Sequence, residues 1–77
     1  MIDKKLTKIF VKLFELNINR VKSSTINNTV KWDSLSHINL IIEIEKNFKI
    51  SKITHKEITK LVSFKNCSKF LNKYSKK

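Results

Sequence analysis

The sequence predicts an all-α fold of four helices, with a long polar loop between the first and second and a short third helix. Three observations predict it. Apolar residues recur at spacings of three and four, the period of one helix face. No run sustains alternation of period two, so no strand is expected. Helix-start signals stand where the periodic stretches begin, at Asp33-Ser34, Thr54-His55-Lys56-Glu57 and Ser63. The 77 residues make one domain the expectation. A chain of this size buries only roughly 60–65% of its unfolded surface, so the core is small. One cysteine permits no intrachain disulfide, so packing alone must hold the fold.

The first helix is read over residues 3–16. Leu6, Ile9, Phe10 and Leu13 recur at i, i+3, i+4 and i+7, and Phe14 widens the stripe. Lys4, Lys5, Lys8 and Lys12 fall mostly on the other side, as on an amphipathic surface helix. Residues 17–33 are read as a long polar connection. Asn17, Asn19, Ser23, Ser24, Asn27, Asn28 and Thr29 favour turns and side-chain-to-backbone bonds over helix. Val21, Ile26 and Val30 are the apolar anchors expected to pin it, and Trp32 either joins them or contacts a partner. A connection of this length in a small domain is often functional.

The second helix, 34–48, has two apolar stripes. Leu40, Ile41, Ile44 and Phe48 form one, expected to face the core; Leu35, Ile38 and Ile42 form the other. One stripe docks a helix, so the second needs another element or a partner. Residues 49–54 follow as a short connection with Ile50 and Ile53 turned inward. A capping box from Thr54 to Glu57 starts a third helix over 55–61, presenting Ile58 and Leu61. Ser63 caps a fourth over 64–75, with Phe64, Cys67, Leu71 and Tyr74 as its stripe and Phe70 beside them. The tail Ser75-Lys76-Lys77 is expected to fray.

The formal net charge is +11, from 17 Lys+Arg against 6 Asp+Glu. Two readings compete for it. A polyanion partner is one. Genome composition is the other: the chain is rich in Ile, Asn and Lys and has no Gly, Pro or Ala, and Arg, the preferred residue for phosphate and base contacts, occurs only at Arg20. The charge is uneven. Asp33, Glu43, Glu45 and Lys46 make residues 33–48 net −2, so the rest carries +13. No apolar run approaches the ~18 residues of a membrane span. The start Met1-Ile2-Asp3-Lys4-Lys5 lacks the apolar centre of a signal peptide, and a cytoplasmic protein is expected.

Enzyme chemistry finds no foothold. There is no Gly-rich phosphate loop, and Cys67, His37 and His55 are too scattered for a metal site. No nucleophile–base–orienter set is visible, so no catalytic residue is assigned. Cys67 reads as a small buried hydrophobe, His37 as a histidine beside the core stripe, and His55 as solvated. Ser34 stands apart. Asp33 and Ser34 serve locally as cap and first-turn residues. A serine there, at the end of a loop, is also well placed to carry a phosphate ester, because free N–H groups and the helix dipole favour negative charge.

Asp33-Ser34-Leu35, with Trp32 before it and Ile44-Glu45-x-x-Phe48-x-Ile50 after it, resembles the acyl carrier protein family. The element order extends the resemblance over nearly the whole chain. It implies a four-helix bundle of acyl-carrier-protein type, not an enzyme. It further implies a 4′-phosphopantetheine arm attached to Ser34 from coenzyme A by a phosphopantetheinyl transferase that recognises Asp33, with an acyl or aminoacyl cargo held as a thioester. The implied partners are that transferase, an acyl- or aminoacyl-loading enzyme and an acyl-accepting transferase, met by a monomer through Leu35, Ser36, Ile38, Asn39, Ile42, Glu45 and Lys46. No specific nucleic acid and no metal are implied. The family's usual glycine two residues before the Asp is Lys31 here, and Ser36, Asn39 and Lys46 stand where carboxylates are usual, while Glu45 remains. Partners that dock a basic patch would lose complementarity. The pattern Trp32-Asp33-Ser34-Leu35-x-His37-Ile38 is more similar to stand-alone carriers of specialised pathways than to those of fatty-acid synthesis. The alternative is a small basic helical nucleic-acid-binding module.

Overall fold

The computed structural model describes residues 2–50 and 52–75. It is all-α: helix α1 spans Ile2–Phe14, α2 Ser34–Asn47, α3 His55–Ile58 and α4 Phe64–Ser75, with a 3₁₀ helix at Ile18–Ser23. No helix among them is long and apolar enough to cross a membrane. Lys76 and Lys77, in the tail expected to fray, lie outside the described residues, as does Ser51.

The absence of glycine shapes where helices end. α1 stops two residues before the expected Leu16, because Glu15 turns into the left-handed region at φ 51°. Lys49 does the same after α2, at φ 55°. That conformation is where glycine ordinarily closes a helix; here two ordinary residues adopt it against a cost of roughly 1–2 kcal/mol each. α3 is also shorter than the predicted 55–61. Its bonding tightens to i→i−3, with Lys60 N–H donating to Glu57 O and Leu61 N–H to Ile58 O, while the Thr59 hydroxyl takes the Lys56 carbonyl. Thr54 caps it by accepting from Glu57 N–H at 3.2 Å, but the return bond of a capping box is not formed among the described residues. Ser63 caps α4, its Oγ accepting from Asn66 N–H at 3.0 Å.

α1 and α2 run antiparallel. At one end the Phe14 ring stacks on Trp32 at 4.5 Å; at the other Lys5 Nζ donates to Asn47 O at 3.3 Å. α4 lies against α1, with Phe10 and Phe64 edge-to-face at 5.2 Å and the Ser68 hydroxyl on Asp3. Leu6, Phe10, Phe14, Leu40, Ile44, Leu61, Cys67 and Leu71 are buried at the centre. Burying an aliphatic or aromatic side chain contributes roughly 1.5–3 kcal/mol. Leu40, Ile41 and Ile44 therefore anchor α2, a 14-residue helix that would be marginal alone. Tyr74, expected on the α4 stripe, lies past the end of the core: it is exposed and leans on Phe70.

The connection 17–33 is not a plain loop. Asn17 Oδ1 accepts from Asn19 N–H and starts the 3₁₀ helix, which seats Val21 in the core. The segment after it pairs with the start of α4: Ile26 N–H donates to Val62 O and Phe64 N–H to Ser24 O, around an isolated antiparallel bridge between Thr25 and Ser63. Asn28 ties the turn, accepting from Thr25 N–H and donating to Ser23 O. Val21 and the partly buried Ile26 act as anchors, but Val30 does not, being 97% exposed. Thr29 and Trp32 are buried and joined by a Trp32 N–H to Thr29 O turn, which throws the two residues between them outward.

Candidate functional site

The site is the start of α2, where the tied connection delivers Asp33 and Ser34. Trp32 fixes the approach. It is 3% exposed, stacked on Phe14 and edge-to-face with Phe10 at 5.3 Å, so it anchors the connection to the core. Asp33, immediately after it, is the N-cap, extended in backbone, with Oδ1 accepting from Ser36 N–H at 2.9 Å. That hydrogen bond, chiefly, holds its carboxyl below the ordinary carboxylate range. The cap therefore contributes stability above the unfolded-state value of 3.8, lost as pH falls through the lowered folded value.

Ser34 is the first helical residue. It is exposed, and its hydroxyl makes no hydrogen bond among the described residues. The first-turn N–H groups lack helical partners and the dipole is positive at this end. The position suits a covalently attached anion: the hydroxyl is reachable, and the backbone around it favours negative charge. The histidine one turn away has both ring nitrogens engaged elsewhere.

That histidine is His37, and its role was not legible in the sequence. Its Nδ1 accepts from Trp32 Nε1–H at 3.0 Å and its Nε2 lies 2.9 Å from Ile58 O. The indole only donates, so Nδ1 is the bare nitrogen and Nε2–H donates to the carbonyl. One imidazole ring thus ties the residue before the cap to the end of α3. Glu45, two turns further along α2, makes a matching tie: its Oε2 accepts from Ile53 N–H at 2.8 Å. Glu45, expected on the docking surface, is half-buried and holds the connection between α2 and α3. The signal that could have found both ties was their place on the flank of the core stripe, where a polar side chain needs a partner.

The outer stripe lies open. Leu35 is 69% exposed, Ile38 56% and Ile42 49%, while Leu40, Ile41 and Ile44 are buried and Phe48 half-buried. Asn39 and Lys46 are exposed beside it and Ser36 is half-buried in the first turn. Leu35 follows Ser34 directly, so attachment position and apolar surface are continuous. Lys31 is paired with Glu15 at 3.5 Å. Among the described residues no three His, Cys, Asp or Glu side chains group as metal ligands. Cys67 is buried, and burial pushes its thiol up to about 12. Comparisons with family models, curated proteins and solved structures found no match to this chain.

Proposed function

We propose that this chain is an acyl or aminoacyl carrier protein, modified on Ser34 and serving partner enzymes of a specialised biosynthetic pathway. The observation that carries the reading is the juxtaposition at the start of α2: a capping Asp33, an exposed and unengaged Ser34 hydroxyl, and an exposed apolar stripe beginning at the next residue. The four α-helices, with the long connection leading to Ser34, support the reading that the resemblance to the acyl carrier protein family suggests. A 4′-phosphopantetheine arm, joined to Ser34 Oγ by a phosphodiester from coenzyme A, would supply a terminal thiol for a thioester-bound cargo.

The chain's own residues do the rest. Asp33 fixes the first turn, and the exposed Ser34 hydroxyl makes no hydrogen bond among the described residues. Trp32 and His37 hold the turn's position against the core and α3, so the hydroxyl is presented at a constant place. Leu35, Ile38 and Ile42 provide a surface of the kind that partners bury, with Ser36, Asn39, Glu45 and Lys46 at its margins. Since Glu45 is already bonded to Ile53 N–H, recognition by partners rests more on apolar burial than on charge.

Intact-mass measurement after incubation with coenzyme A and a broad-specificity phosphopantetheinyl transferase tests the reading. The expected result is a single phosphopantetheine adduct, absent in Ser34→Ala. No adduct on the folded protein, or one that survives Ser34→Ala, removes the reading.

A further inference from the structure

A second surface, sharing no residue with the α2 stripe, carries much of the unbalanced charge. Lys4, Lys5, Lys8 and Lys12 occupy the outer side of α1, and Lys22 of the 3₁₀ helix joins them. Two adjoining clefts, one shared by Lys5, Lys8 and Lys12 and the other by Lys4, Lys8 and Lys22, make these five a continuous patch, because Lys8 lines both. Two carboxylates border it. Asp3 is engaged by the Ser68 hydroxyl and Glu43 by the Asn47 amide. None of the five ammonium groups has an ion-pair partner among the described residues. Ile18, 66% exposed, stands in the same cleft as Lys4, Lys8 and Lys22.

We propose that this α1 face adsorbs to an anionic lipid bilayer. Three features select that partner. The patch holds lysine only, a hydrated point charge without the bidentate fork suited to nucleic-acid phosphates and bases. It contains a protruding Ile18, which a headgroup layer accommodates and a phosphodiester backbone does not. It lies along one side of α1, a helix of 13 residues and so about 20 Å long, which can lie flat on a surface. The apolar side of α1 is committed to the core, so the contact is electrostatic and reversible rather than inserted. The α2 stripe stays free while α1 faces the lipid, because Glu43 and Asn47 are the α2 residues that line the patch.

The test is co-sedimentation of the full chain with vesicles of phosphatidylcholine containing about 30 mol% phosphatidylserine, at roughly 0.1 M salt. Binding is expected there, with none to phosphatidylcholine alone and loss at high salt. Each lysine removed should lower partitioning about five-fold. The triple change Lys4→Gln, Lys8→Gln, Lys22→Gln should therefore weaken it about a hundredfold. The triple change Lys65→Gln, Lys69→Gln, Lys73→Gln on exposed positions of α4 alters net charge equally and should weaken it less than tenfold. Equal loss in both triples would mean that net charge, not this face, drives adsorption. Tighter binding to an oligonucleotide than to the vesicles at the same salt would likewise overturn the proposal. Neither result depends on whether Ser34 is modified.

Discussion

His37→Leu is expected to destabilise the protein by about 2–3 kcal/mol, although His37 is only half-buried. The substitution roughly keeps volume and does not lower helix preference, but removes both ring nitrogens. Trp32 Nε1–H then stays buried with no acceptor, which costs roughly 1–3 kcal/mol, and Ile58 O loses a hydrogen bond worth about 1 kcal/mol net. For a 77-residue domain with a total stability of roughly 4–11 kcal/mol this is a large share. The diagnostic measurement is a double-mutant cycle with Trp32→Phe, which removes the indole donor. Once it is gone, His37→Leu no longer orphans anything, so its cost should fall by about 1–2 kcal/mol. Urea unfolding followed by circular dichroism serves all four proteins, since fluorescence is lost with the tryptophan. Additivity within about 0.5 kcal/mol would show that the Trp32–His37 bond carries no net stability and that the ring acts only by packing.

Further consequences can be measured on the same footing. Lys49→Gly should raise stability by about 1 kcal/mol by relieving a left-handed residue at a helix end, and a loss in urea unfolding would contradict the strain assigned there. Cys67 should resist a thiol reagent at pH 8 in the folded protein and react once unfolded; fast labelling of the native state would contradict its burial. Because its folded value is raised from 9.0 to about 12, its contribution to stability is full below pH 9 and is lost as pH rises from 9 towards 12. Leu35→Ala and Ile38→Ala should change stability by less than about 1 kcal/mol, both being exposed; under the carrier function proposed above they should also slow arm attachment or cargo transfer. A collapse of helical circular dichroism in either would place that stripe inside.

Periodicity alone separated the two stripes of α2, because a helix turns its residues through fixed angles and Leu40, Ile41 and Ile44 can share a face only if Leu35, Ile38 and Ile42 leave it. The caps at Asp33, Thr54 and Ser63 were equally local, each needing only a side-chain oxygen three residues before an orphan N–H. Ser34 was singled out on that local ground. What sequence could not determine was which polar residues would find partners far along the chain. The pairing of Thr25 with Ser63, the bond from His37 to Ile58 O and the bond from Glu45 to Ile53 N–H all join segments whose approach follows from packing. Val30 and Tyr74 were misplaced for the same reason: an apolar residue near a core stripe is buried only if the chain's path brings another element over it. Helix ends belong with these. Nothing in Glu15 or Lys49 announces a left-handed residue, and in a chain without glycine it is the turn imposed by the next packed element that puts them there. Local spacing and caps were enough for the four α-helices, the inner and outer faces of α2 and the serine at its head, but not for the 3₁₀ helix at Ile18–Ser23. How that serine is held follows from packing, because the tie through Trp32, His37 and Ile58 exists only once α2, α3 and the connection before them come together.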